Sequence, residues 1–310
     1  MENKNTIGHV VALLTILIWG TTFISTKILL IDFTPIEILF FRFIMGLIAL
    51  LVVYPHRLKV KDRKHELLFI GAGLCGVTLY YLLENIALTF TMASNVGVIC
   101  SLSPFFTAIF TYLFLKDEPL RINFFIGFVV AMVGIYLISF SGTSNFQLNP
   151  LGDLLAVGAT IVWALYSVLT RKISSYGYNT IQITRRIFIY GILLMLPALF
   201  FLDFKMGVER FAEPINLFNL IFLGLGASAL CFVTWNYAVK VLGAIKTSIY
   251  IYMIPVITVI TSIIILHEKI TGLAALGTIL TLVGLFVSES KIYLKKKVSK
   301  QNQNNNSCVS

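Results

Sequence analysis

Ten apolar stretches follow one another along the chain, at residues 8–31, 35–54, 66–89, 93–115, 121–140, 151–172, 178–202, 216–239, 244–266 and 270–290. Each is close to the ~20 residues a helix needs to cross the hydrocarbon core of a bilayer. Lipid offers no water to a bare N–H or C=O, so each stretch must form a helix that satisfies its own backbone. The pattern predicts an all-α polytopic membrane protein of ten transmembrane helices. Composition closes the soluble route: 58% of the 310 residues are hydrophobic and 12% charged, against about 25% charged in a soluble domain. Cys75, Cys100 and Cys231 fall inside stretches and Cys308 near the end, with no CxxC or Cys/His spacing. Neither a disulfide framework nor a metal site is expected, and no cofactor.

A net charge of +10 would suggest nucleic acid in a soluble protein. Here the basic residues gather in the connections between stretches, which is a topological signal, and no nucleic-acid partner is expected. With the N-terminus placed inside, cytoplasmic segments hold seventeen of the 24 Lys and Arg residues, among them Arg57, Lys59, Lys61, Arg63, Lys64 and the lysines after residue 290. The opposite loops hold only Lys205, Arg210 and Lys269. That bias puts both termini in the cytoplasm and the chain in the cell membrane as a multi-pass protein. The first stretch runs through Lys27 without a cleavage pattern, so it reads as a helix and not as a signal peptide. Residues 291–310, basic and then Gln/Asn-rich, read as a disordered cytoplasmic tail.

The second half repeats the first. Trp19 matches Trp163, Thr26 matches Thr170, Lys27 matches Arg171 and Arg42 matches Arg186 at an offset of 144 residues; Gly73, Asn85, Ala93 and Pro104 match Gly224, Asn236, Ala244 and Pro255 at 151. Glu118, Gly127 and Gly134 match Glu268, Gly277 and Gly284 at 150. Two five-helix units, 8–140 and 151–290, follow. Because five is odd, the second unit enters the membrane from the opposite side, giving inverted repeats related by a pseudo-two-fold axis. Two such halves can exchange conformations, which is the symmetry of alternating access.

Over residues 8–290 the chain resembles the EamA domains of the drug/metabolite transporter superfamily. The resemblance is carried by Trp19-Gly20 with Lys27, by Phe41-Arg42-Phe43, by the stretch Asn85 to Pro104 with Ala93, Ser94 and Asn95, and by Lys116-Asp117-Glu118. Their counterparts are Trp163, Arg186, Asn236 to Pro255, and His267-Glu268. It implies a ten-helix carrier with a central cavity lined mainly by the first, third, fourth, sixth, eighth and ninth helices, moving small metabolites, often outward.

Several side chains are candidates for the cavity. Thr15, Trp19, Thr22 and Thr26 share one face of the first helix, and Thr160, Trp163, Ser167 and Arg171 one face of the sixth. Hydroxyl stripes suit a wet cavity, though they also join helices in lipid. Pro104 and Pro255 each strip a carbonyl four residues earlier of its donor, so each is a kink or hinge, with Ser101, Ser103, Tyr250 and Tyr252 nearby as substrate contacts. Asn85, Asn236 and Trp235 complete the candidate binding set, the asparagines also suiting interhelical hydrogen bonds. Gly127 with Gly134 and Gly277 with Gly284 permit close helix approach, within the chain or in a homodimer. Glu118 and Glu268 read as interfacial partners of Lys116 and Lys269.

Three ionisable residues lie inside spans at one depth, roughly 6–10 Å below the outer surface at about 1.5 Å per residue: Lys27, Arg42 and Glu84. As a structural triad, Glu84 neutralises Arg42 or Lys27. As a functional cluster at the outer mouth, Glu84 takes a proton or an amine and the surplus positive charge draws a carboxylate. Trp235 replaces Glu84 in the second half, so the basic pair is repeated and the acid is not.

The expected function is a secondary active transporter that exports or exchanges small metabolites, amino acids or related carboxylates first, with the bilayer and a small-molecule substrate as partners and proton coupling through Glu84. A channel or facilitator is the alternative. No Walker A, HExxH or GxSxG motif is present, so neither ATP drive nor an intramembrane enzyme is indicated.

Overall fold

The computed structural model describes residues 2–60, 62–91, 93–115, 122–140, 149–202, 204, 205, 207–266 and 272–289. The pairs expected around Lys116, Glu118, Glu268 and Lys269, with His267 and the tail 291–310, lie outside these residues. So do the side chains of Ala93, Ser94 and Asn95.

The first two helices are α1 (Glu2–Leu29) and α2 (Pro35–Val53). The third expected span is α3 (Arg63–Gly73) running through a π turn at Leu74–Leu79 into α4 (Tyr80–Phe90). The fourth is divided: α5 (Ala93–Cys100) and α6 (Ser103–Phe114) meet at a turn over Ser101 and Leu102. α7 (Ile122–Phe140), α8 (Pro150–Ser174) and α9 (Thr180–Phe201) follow. A short 3-10 turn at Val208–Phe211 leads to α10 (Pro214–Ile221), which passes through a second π segment, Phe222–Leu230, into α11 (Cys231–Leu242). The last are α12 (Ala244–Ile249), a 3-10 turn at Tyr250–Tyr252, α13 (Met253–Leu266) and α14 (Gly272–Glu289).

By length and composition seven of these rods can cross a membrane: Lys4–Leu29, Pro35–Val53, Arg63–Phe90, Val96–Phe114, Pro150–Ser174, Thr180–Phe201 and Pro214–Leu242. Ile122–Leu137, Ala244–Ile257 and Ala275–Ser288 are shorter apolar helices. The ends are set by ordinary capping chemistry. Asp62 accepts from the Lys64 N–H, Asn149 from Gly152, and Asn179 from Ile181. Between α11 and α12 the chain reverses at Gly243, whose φ of +96° a side chain would oppose.

Pro104 and Pro255 sit at different points than a smooth kink requires. Pro104 occupies the first turn of α6, where its missing N–H is an orphan anyway, and the break falls just before it. Ser101 and Leu102 instead bond three residues back, to Val98 and Ile99. In the matched place α12 tightens into the 3-10 turn before Pro255. Each proline therefore restarts a helix after a turn.

A main core gathers α1, α2, α4, α8, α9 and α11 around Phe43, Phe188, Phe232 and Trp235. A second, smaller core joins α6, α7, α12 and α14 around Phe124, Tyr252 and Leu285. The expected glycine faces of α7 and α14 meet inside the chain. A Cβ on Gly134 would fall 2.6 Å from the Gly277 carbonyl, and one on Gly284 2.6 Å from that of Gly127. Only glycine lets the backbones come so close.

Candidate functional site

The two tryptophans matched at an offset of 144 touch at the centre of the molecule. Trp19 on α1 and Trp163 on α8 stand edge to face with ring centroids 5.2 Å apart. Trp235 of α11 lies 5.0 Å from Trp19 and 5.9 Å from Trp163, while Tyr80 on α4 lies 4.8 Å from Trp163. Trp19 is fixed by its indole N–H, which donates to the Ala227 carbonyl at 2.9 Å, within the second π segment.

Beside this cluster is a cavity of about 30 Å³, room for a water or two. α1 contributes Trp19, Thr22 and Phe23, and α4 contributes Tyr80, Tyr81 and Glu84. Cys100 and Ser103 flank the break between α5 and α6, Trp163 comes from α8, and Ile251 and Ile254 flank the break before α13. Both helix breaks thus open on the same space. The Thr22 hydroxyl turns back to the Trp19 carbonyl.

Glu84 is 3% exposed, and its Oε2 has no hydrogen-bond partner among the described residues. Arg42 is 1% exposed and does not line the cavity. Its Nε donates to Ser228 Oγ at 3.0 Å, its guanidinium carbon lies 4.2 Å over the Tyr81 ring, and both terminal nitrogens lack partners. Lys27 is exposed and turns to the end of α4, donating to the carbonyls of Leu88 at 2.5 Å and Thr91 at 3.3 Å. Lys27 thus stands apart from the other two members of the expected charged cluster, because a lysine near the lipid surface gains more from carbonyls at a helix C-terminus than from a buried acid.

The remaining candidates are fully buried and outside the cavity wall. Asn85 donates to the Pro35 carbonyl at 3.1 Å. Asn236 donates to Thr184 Oγ1 at 3.0 Å and accepts from the Tyr166 hydroxyl at 2.7 Å. The asparagines join helices, one in each half. The Ser167 hydroxyl donates to the Trp163 carbonyl. Tyr252 belongs to the smaller core, and Trp235 fills the space behind Trp19. Trp19, Thr22, Glu84, Ser103 and Trp163 are therefore brought together at the cavity, and Asn85, Ser167, Trp235, Asn236 and Tyr252 are not.

Charged groups close both ends. At the end that carries Lys27, buried Glu37 accepts from the N–H groups of Thr34 and Lys205 and from Arg210 at 2.7 Å. That hydrogen bond holds the Arg210 guanidinium above its ordinary pKa. Arg210 also covers the Phe33 ring at 4.5 Å and bonds the Asp32 carbonyl, strapping the α9–α10 loop over the α1–α2 corner. At the other end Arg186 pairs with Glu66, and Arg185 donates to the Tyr54 and His56 carbonyls. His65 in the first turn of α3 stacks on Tyr176 and bonds the Tyr178 hydroxyl there, tying that helix end to the α8–α9 corner. Arg171 donates to the Lys240 and Val239 carbonyls at 3.0 and 3.4 Å. Sequence reasoning missed the Glu37–Arg210 strap, although Thr34 and Glu37 carry the spacing of a capping box.

The profile of the EamA-like transporter family matches residues 6–140 and 150–289. An uncharacterized transporter of Archaeoglobus fulgidus is 28% identical over 292 residues, 93% of this chain and 99% of its own. The uncharacterized transporter YyaM of Bacillus subtilis is 27% identical over 290 residues, 91% and 93% of the two chains. A solved crystal structure shares the fold at a TM-score of 0.72 and 20% identity, covering 93% of this chain and 97% of that one.

Proposed function

The chain belongs to the EamA-like transporter family, and from that premise we propose that it is a secondary carrier exporting or exchanging small metabolites, amino acids first, by alternating access. It is a multi-pass membrane transporter and not an enzyme. The finer reading is of ten helices in two inverted units, 8–140 and 151–290, with both termini in the cytoplasm and the chain in the cell membrane.

The observation that carries it is the matched use of Lys27 and Arg171. Lys27 binds the Leu88 carbonyl at one end of the bundle, and Arg171 binds the Val239 carbonyl at the other. The two cations match at an offset of 144 and the two carbonyls at 151, so one contact is made twice at opposite ends. A two-fold relation of this kind is what lets a carrier open one side by the inverse of the movement that opens the other. The straps on Glu37 and on Glu66 join parts of both halves, one at each end, and serve as the alternating closures. The central space widens between the breaks before Pro104 and Pro255, and Glu84 supplies the proton coupling.

The test is uptake of labelled amino acids into proteoliposomes, with and without a pH gradient. A carrier gives saturable uptake that unlabelled substrate inside accelerates and that the gradient drives. In Glu84→Gln, uptake falls to the level of empty vesicles although the protein folds. Non-saturable flux without counterflow would replace the carrier by a channel, and undiminished flux in Glu84→Gln would remove the proton role.

A further inference from the structure

We infer that the central cavity recognises the ammonium group of its ligand and not a carboxylate, so that organic amines with an apolar body bind as amino acids do while carboxylates lacking an amine are refused. The inference deepens the carrier reading and rests on it. It starts from which charges reach the cavity. Of the three ionisable side chains that sequence places at one depth, Lys27 is spent on the carbonyls of Leu88 and Thr91. Arg42 is held by Ser228 and lies against Tyr81 instead of lining the space. Glu84 alone of the three is on the wall, 97% buried, with Oε2 unpartnered.

A buried carboxylate oxygen without a donor is costly, the more so when the group is charged. Here that oxygen belongs to a side chain on the wall of the space a ligand would enter. Five aromatic side chains share the wall with it: Trp19, Phe23, Tyr80, Tyr81 and Trp163. Aromatic rings attract a desolvated cation and offer nothing to an anion. Arg42, on the far side of Tyr81, balances the field of Glu84 in the empty site without offering an N–H to it. An entering ammonium fills the free Oε2 as a charge-assisted donor, and the rings absorb the surplus positive charge. A carboxylate entering the same space meets a like charge among aromatic rings, and finds no cation among the lining residues.

Two of the chain's three tryptophans line this cavity and the third packs against both, so intrinsic fluorescence of the purified full-length protein in detergent reports binding without transport. The probes are 2-phenylethylamine, which has the ammonium alone, 3-phenylpropionate, which has the carboxylate alone, and phenylalanine. The amine and the amino acid should give saturable changes and 3-phenylpropionate none. Glu84→Gln should weaken amine binding by about tenfold to a hundredfold, the worth of one charge-assisted hydrogen bond. Trp19→Phe should weaken it roughly two- to fivefold through the poorer cation–π face. Saturable binding of 3-phenylpropionate as tight as that of the amine, no saturable change with the amine, or an undiminished affinity in Glu84→Gln each overturns the inference. Should Glu84→Gln fail to fold, the amine and carboxylate probes on the unaltered protein decide it. An amine that binds in micelles yet never crosses a vesicle membrane would sink the carrier reading and leave amine recognition standing.

Discussion

Helices α4 and α11 occupy matched places in the two halves, and most of what they do is the same. Each follows a π turn, carries an asparagine that bonds a neighbouring helix, and ends in carbonyls taken by a cation from its own half's first helix. One residue before the asparagine they part. Glu84 opens on the cavity with an unfilled oxygen, whereas Trp235 is completely buried and packs against Trp19 and Trp163. The lesson is that scaffold contacts were kept twice and the charge was kept once. A second buried acid in the matched place would lose its water as Glu84 does and repel it across the tryptophan cluster, so an aromatic filler there is the less costly neighbour.

One substitution and three pairs of substitutions would break or sharpen that comparison. Trp235→Glu puts the acid into the second half. With a large ring lost and a charge buried in its place, it should cost about 3–5 kcal/mol for the cavity and about 2.5–3.5 kcal/mol more for the charge. The protein should fail to accumulate in membranes; normal accumulation would make the asymmetry accidental. The two straps come next. Arg210→Gln leaves Glu37, fully buried, with only two backbone donors and should cost near the lower end of about 3–5 kcal/mol, seen as a lower unfolding midpoint. Arg186→Gln touches a pair with a quarter or more of each side chain exposed and should cost about 0–1 kcal/mol. Equal shifts for the two would contradict the burial difference.

Asn236→Leu removes bonds to Thr184 and Tyr166, leaving the buried Tyr166 hydroxyl unpaired, and should cost about 1–3 kcal/mol. Asn85→Leu loses one bond, to the Pro35 carbonyl, at about 0.6 kcal/mol, the average for such bonds in membranes. Chemical unfolding in mixed micelles ranks the pair, and the reverse order would show that Asn85 does more than join helices. The smallest effect is the most exacting. Lys27→Met and Arg171→Met each remove a cation from the C-terminus of a helix and should lower stability equally, by about 0.3–1 kcal/mol; a clear inequality would deny that they perform one task.

The helical fold was legible from the apolar stretches because lipid leaves the backbone no alternative, and the residue matches foretold that Trp19 and Trp163 do corresponding work. That the two rings touch was not legible, since an offset says nothing of distance. The prolines announced an irregularity in the fourth and ninth stretches, yet the break precedes Pro104 because a proline fits a helix start better than its middle. The shared depth of Lys27, Arg42 and Glu84 along separate helices did not say which way each side chain turns; Lys27 went to carbonyls and Arg42 to the ring of Tyr81. Arg210 looked like an ordinary loop charge, because its partner Glu37 lies 173 residues away in sequence.

The seam between α7 and α14 has a further consequence. Gly127 matches Gly277 and Gly134 matches Gly284, and across the seam Gly284 meets Gly127 while Gly134 meets Gly277. If residue i touches the counterpart of j, then j touches the counterpart of i, which is the rule of an isologous interface between identical subunits. The patch is complementary to its own counterpart, so the two halves meet at this seam by one surface used twice. At this contact the protein is a homodimer whose subunits share one backbone.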